Sequence, residues 1–102
     1  MGETVRLRIG DLEFEWDADK AAFNLKKHGV SFTEAATAFS DVLSLTIGNP
    51  DHSEDEERFL LVGVSTDRRL LVVVHVVHDV RYRIISARKA TRYERKSYEE
   101  SK

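Results

Sequence analysis

Leu70-Leu71-Val72-Val73-Val74-His75-Val76-Val77 is the stretch on which the fold turns. Every position but His75 is apolar, and most are β-branched. A run of this kind reads as a strand covered on both faces, the centre of a sheet. As a helix it is far too short to cross a bilayer. His75 within it reads as a buried, hydrogen-bonded core residue. On either side, residues 58–64 and 80–86 read as strands, joined to it by short turns at Ser65–Arg69 and His78-Asp79. Leu43, Leu45 and Ile47 alternate as one more strand. The four form an antiparallel meander.

Residues 5–16 read as a separate hairpin. Val5, Leu7 and Ile9 alternate with Arg6 and Arg8; Leu12, Phe14 and Trp16 alternate with Glu13 and Glu15. Gly10-Asp11 suits a two-residue type II′ turn. That register sets Arg8 opposite Glu13 and Arg6 opposite Glu15, with the apolar residues together on the other face. Asp17 then offers an N-cap for a helix over residues 18–28, and Gly29 a left-handed stop. Ala18, Ala21, Ala22 and Leu25 fall on one face of that helix, and Lys20, Asn24 and Lys27 on the opposite side. Ser31-Phe32-Thr33-Glu34 is a capping box for a second helix, with Phe32, Ala35, Ala36 and Phe39 as its buried stripe. Thr91-Arg92-Tyr93-Glu94 is another, opening a helix to about Glu100. The expected fold class is α+β: a twisted antiparallel sheet, hairpin plus meander, with two helices after the hairpin and one at the C-terminus.

The 102 residues fit one domain with a single modest core. With no cysteine there is no disulfide framework, thiolate metal site or thiol nucleophile. No signal peptide is read at the N-terminus, so a cytoplasmic location is expected. The net charge of -2 conceals strong segregation. Acidic residues crowd residues 11–19 and Asp51–Glu57, whereas the stretch from Arg81 to Lys96 holds Arg81, Arg83, Arg88, Lys89, Arg92, Arg95 and Lys96 with Glu94 as its only acid. Such a cationic patch repels itself unless an anion meets it, and polyphosphate is the common partner.

Three constellations can carry chemistry. Lys20, Asn24 and Lys27, with His28 beside them, could grip a phosphate diester and move a proton; the plain alternative is a solvated helix face. Arg81, Arg83, Arg88 and Arg92 gather where a strand runs into a helix start, which suits a phosphate; the alternative is pairing with Glu54–Glu57. The histidines, His28, His52, His75 and His78, match no zinc spacing. A metal site at Asp51 and His52 with the acidic loop is a minor alternative. No Gly-rich phosphate loop is present, and no metal or cofactor is called for.

Phe14-Glu15-Trp16-Asp17, Lys20, Asn24, Lys27-His28-Gly29-Val30-Ser31-Phe32, Glu34-Ala35 and Phe39-Ser40-Asp41 together resemble the BrnT family. So do Asp51-His52, Glu57-Arg58, Gly63, and Arg83-Ile84-Ile85-Ser86-Ala87-Arg88 followed by Ala90, Glu94 and Tyr98. The resemblance covers residues 14–100, leaving residues 1–13 as an additional strand region. It implies a RelE-like fold and a bacterial type II toxin, a small ribonuclease that blocks translation. It implies a BrnA-type antitoxin whose ribbon-helix-helix segment dimerises and binds DNA, in an assembly with two copies of each chain. The toxin itself would meet RNA, no membrane, and DNA only through the antitoxin.

Metal-independent cleavage of RNA needs a base at the 2′-hydroxyl, cations on the phosphorane and an acid at the leaving oxygen. On the resemblance, Arg58, Arg83 and Arg88 are expected at the phosphate, with His28 as base or acid and Tyr93 or Tyr98 behind it. Lys20, Asn24, Lys27, Arg81 and Arg92 are expected along the RNA. The alternative function is a non-enzymatic regulatory module whose basic face holds an acidic partner segment.

Overall fold

The computed structural model describes residues 2–48 and 57–101. Asp51, His52 and most of the expected acidic loop lie outside them, and with them the alternative metal site. The chain enters as β1 (Thr4–Ile9) and β2 (Leu12–Asp17), then α1 (Ala18–His28), α2 (Phe32–Thr37) and a 3-10 turn at Ala38–Ser40. There follow β3 (Leu45–Gly48), β4 (Phe59–Val64), β5 (Leu70–His78), β6 (Arg81–Lys89) and α3 (Arg92–Glu100). The fold is α+β, as expected.

The hairpin has the expected register, with Arg6 opposite Glu15 and Arg8 opposite Glu13. Gly10 sits at φ +58° while Asp11 keeps a negative φ, the combination a type II′ turn requires. Asp17 caps α1 by accepting from the Lys20 amide at 2.9 Å, and Gly29 ends it at φ +71°.

One sheet holds all six strands, in the order β1-β2-β6-β5-β4-β3. It is mixed, not antiparallel throughout: β2 and β6 run parallel, Phe14 beside Tyr82 and Glu15 beside Arg83. The reason is topological. After β2 the chain leaves through α1 and α2, re-enters at the far edge, and winds back through β3, β4 and β5. It thus brings β6 alongside β2 in the same direction. Hairpin and meander are each locally patterned, but nothing local encodes how they join. β5 is central as expected, with Leu70 to Val73 buried on both faces, while Val77 near its end is exposed. β6 extends past residue 86 to Lys89 and carries a bulge at Ile85, since Ile84 pairs with His75 and Ser86 with Val74.

The main core lies between the sheet and α1–α2, where Phe14, Trp16, Phe32, Ala35, Leu71, Val73 and Ile84 pack. Gly63 is required there, because a Cβ would stand 2.7 Å from the Ala38 carbonyl oxygen of the 3-10 turn. The stripe of α2 is buried at Phe32, Ala35 and Ala36, with Phe39 half-buried in the 3-10 turn beyond it, but the capping box is only half made. Ser31 accepts from the Glu34 amide, while the Glu34 carboxylate turns inward to Ser65 and the Arg69 guanidinium. The complete box is at α3, where Thr91 and Glu94 satisfy each other's amides.

The expected buried face of α1 is corrected. Ala22 and Leu25 are exposed, and Asn24 is buried. β2 pairs with β6 only as far as Arg83, so the rest of that edge needs a cover. Asn24 supplies it. Its amide nitrogen donates to the Ala87 carbonyl at 2.8 Å, and its amide oxygen accepts from the Ala87 N–H at 3.1 Å. A third bond goes to the Val30 carbonyl at 2.9 Å. One side chain thus does what a neighbouring strand would do.

Candidate active site

Strand alternation sorts the side chains at the β2–β6 junction. Phe14 and Tyr82 face the core, so Glu15, Arg81 and Arg83 face the other way. Arg6 stands opposite Glu15 on β1, and His78 ends β5 opposite Arg81. Four strands therefore meet around one carboxylate.

Glu15 is 2% exposed. Its Oε2 lies 2.7 Å from His78 Nδ1 and 3.0 Å from Arg83 Nη1, and its Oε1 lies 3.9 Å from Arg6 Nε. Burial pushes the Glu15 carboxyl up, but hydrogen bonds from His78 and Arg83 outweigh it and hold the group below the usual carboxylate range. His78 by contrast is 67% exposed at its side chain, and the Arg83 side chain is one-third exposed. With a carboxylate against it, Nδ1 is the ring nitrogen that donates, and the carboxylate fixes the ring's orientation. Arg81 stands at the rim, 3.7 Å from Glu13. The result is an exposed imidazole oriented by a buried carboxylate, with guanidinium groups beside it.

Among the residues expected from sequence, Arg83 and Arg81 join this cluster. Arg88 does not serve as expected. Its fork is spent on Glu94, with Nη1 to Oε1 at 2.7 Å and Nη2 to Oε2 at 2.8 Å, and it ties β6 to the start of α3. Arg92 is exposed in the first turn of α3. Arg58 is half-buried just before β4. Tyr98 is buried and donates to Asp41, which pushes its phenol up to about 12 and disfavours it as a proton donor or acceptor. Tyr93 is exposed.

Lys20, Lys27 and His28 do come together, in a groove of about 350 Å³ between α1 and the bulged part of β6. Phe23, Ile85 and Ser86 complete its wall, and Lys27 Nζ sits 5.8 Å from the Phe23 ring centre. Asn24 lies at the base of this groove with its amide committed to Ala87 and Val30, so its expected contact with RNA gives way to a structural part.

Glu15 and His78 were not legible as a site. Glu15 reads as the hairpin partner of Arg6, and His78 as a turn residue. One signal was available: Glu15 stands between two core aromatics, Phe14 and Trp16, where a carboxylate requires a partner. Among the described residues no group of three or more His, Cys, Asp or Glu side chains is placed to hold a metal. No helix among them is long and apolar enough to cross a membrane.

The fold is that of a small α+β protein in which a buried carboxylate gathers an imidazole and guanidinium groups on one face of the sheet. The chain belongs to the family of ribonuclease toxins, BrnT, of type II toxin-antitoxin systems, whose family model matches residues 16–94. Among solved structures it is similar to the ribonuclease toxin BrnT of Brucella abortus, at 21% identity and a TM-score of 0.55. That likeness covers 76% of this chain and 94% of the other. A search of curated proteins gives no match.

Proposed function

We propose that this chain cleaves RNA without a metal, using His78 as the proton acceptor and Arg83 as the principal phosphate ligand. The observation that carries this reading is the buried Glu15 carboxylate, 2.7 Å from His78 Nδ1 and 3.0 Å from the Arg83 guanidinium, in a chain of a ribonuclease-toxin family. Glu15 stands one residue before the matched segment. His78 Nε2 takes the proton of a 2′-hydroxyl, whose oxygen attacks the adjacent phosphorus. The P–O5′ bond breaks, leaving a 2′,3′-cyclic phosphate, and the leaving 5′-oxygen takes a proton from water at this open surface. Arg83, with Arg6 and Arg81 near it, stabilises the charge that gathers on the phosphorane. Glu15 holds the imidazole and balances it once protonated.

Lys20, Lys27 and Phe23 extend the contact along the groove, two ammonium groups and an exposed ring suiting a single strand. In the cell the activity acts in the cytoplasm and stops translation. A ribbon-helix-helix antitoxin of the BrnA type restrains it, two copies of each chain assembling together. The test is growth arrest on expression, relieved by co-expression of the antitoxin. Arg83→Ala should abolish arrest while the protein remains folded, and excess chelator should not slow cleavage of purified RNA. Salt-sensitive capture of the antitoxin by a protein that leaves RNA intact would favour a purely regulatory module instead.

A further inference from the structure

A second cavity opens on the opposite face of the sheet, at the same end of the β5–β6 hairpin as His78. It measures about 320 Å³ and is lined by Leu12, Phe39, Ser44, Thr46, Phe59, Leu61, His75, Val77 and Tyr82. That is the low end for a small-molecule site, the scale of one heterocycle. Rings dominate it. Phe59 stacks on His75 with centres 5.9 Å apart, and Phe39 and Tyr82 meet the imidazole edge-on at 4.8 and 5.6 Å.

His75 is 2% exposed. Its Nδ1 makes only a long contact of 3.4 Å with the Val73 carbonyl. Burial holds this imidazole below its ordinary pKa, which favours the neutral ring and keeps one nitrogen an acceptor. The hydroxyls of Ser44, Thr46 and Tyr82 add three more polar groups. Among the described residues no Lys, Arg, Asp or Glu lines the cavity. A phosphate would find no counter-charge there, whereas a flat, uncharged ring with a polar edge would find both stacking and hydrogen bonds.

We infer that this cavity receives one unstacked nucleobase of the RNA substrate, its edge read by His75 and the three hydroxyls. The inference rests on the ribonuclease reading and gives it a base subsite. Tyr82 lies between Arg81 and Arg83 on β6, and alternation sends its ring to the cavity while theirs go to the phosphate side. A strand of RNA crossing this rim reaches both.

The experiment is equilibrium binding of the four ribonucleoside monophosphates, with ribose 5-phosphate as the control, to the full chain and to Thr46→Trp. Thr46 is exposed on β3, so the variant should fold while its indole fills the cavity. At least one nucleotide should bind roughly tenfold more tightly than ribose 5-phosphate, as stacking of one base provides. Thr46→Trp should erase that difference and leave ribose 5-phosphate binding unchanged. Equal binding of all five ligands, or a base preference that survives Thr46→Trp, would overturn the inference. A protein that cleaves RNA but binds no nucleotide more tightly than ribose 5-phosphate overturns this subsite alone. One that binds bases here but leaves RNA intact overturns the ribonuclease reading alone.

Discussion

Glu15 Oε2 accepts from His78 Nδ1 at 2.7 Å, joining residues 63 positions apart across the parallel junction of β2 and β6. The carboxylate is buried and the imidazole exposed, so one group is fixed and the other available. Such a division suits proton transfer, because orientation is set before substrate arrives. Glu15→Gln should therefore slow cleavage roughly tenfold to a hundredfold with little change in apparent affinity for RNA, a smaller loss than truncating His78 causes. Steady-state kinetics on the two variants check this: the effect should fall on kcat, not on KM.

Asn24 gives the opposite expectation. It bonds Ala87 twice and Val30 once from a buried position. Asn24→Ala leaves buried backbone groups unpaired and should cost about 1–3 kcal/mol of stability. Activity per folded molecule should persist. Thermal melts beside RNA cleavage separate the two effects.

Glu94 ties α3 to β6 through Arg88, and it sets an acid limit. The Arg88 guanidinium holds the Glu94 carboxyl down at about 2, against an ordinary 4.5, despite partial burial. A depressed carboxyl stabilises the fold above its unfolded pKa and loses that contribution as pH falls through the folded one. Stability should thus decline between about pH 4.5 and pH 2. With Arg88 40% exposed, screening limits the contribution to about 1–2 kcal/mol. In Glu94→Gln that part of the acid dependence should vanish, as denaturant melts across this range would show.

Arg69 reaches the buried Glu34 carboxylate and the Gly29 carbonyl, linking the β4–β5 turn to both helices of the main core. Removing only the cation strands a buried charge. Arg69→Ala should cost about 3–5 kcal/mol, and Arg69→Met with Glu34→Gln distinctly less. A double-mutant cycle on unfolding free energy measures the coupling.

The hairpin register, the caps of α1 and α3 and the central place of Leu70–Val77 were legible because each rests on local pattern. Arg6 opposite Glu15 is fixed by a two-residue turn, and Thr91 with Glu94 by a four-residue box. The parallel pairing of β2 with β6 was not, since it depends on how a long excursion returns. That pairing alone brings Arg83 to Glu15. Asn24 was misread for a related reason: an amide completing a strand edge has the same sequence signature as one facing water. Cationic crowding put Arg81, Arg83 and Arg88 together, and the structure pairs Arg83 with Glu15, Arg81 with Glu13 and Arg88 with Glu94. His78 gave no signal, because a histidine at a turn reads the same with or without a buried carboxylate behind it.

The most direct measurement is single-turnover cleavage of a naked structured RNA, in excess chelator, by the parent chain and by His78→Ala. The side chain is 67% exposed and Arg83 still pairs with Glu15 when it is removed, so the variant should remain folded. The parent should cleave, leaving 2′,3′-cyclic phosphate ends, and His78→Ala should be slower by about a hundredfold or more. Cleavage by a folded His78→Ala protein at the parental rate would contradict the account and move the proton acceptor elsewhere, with His28 in the α1 groove next to be tested.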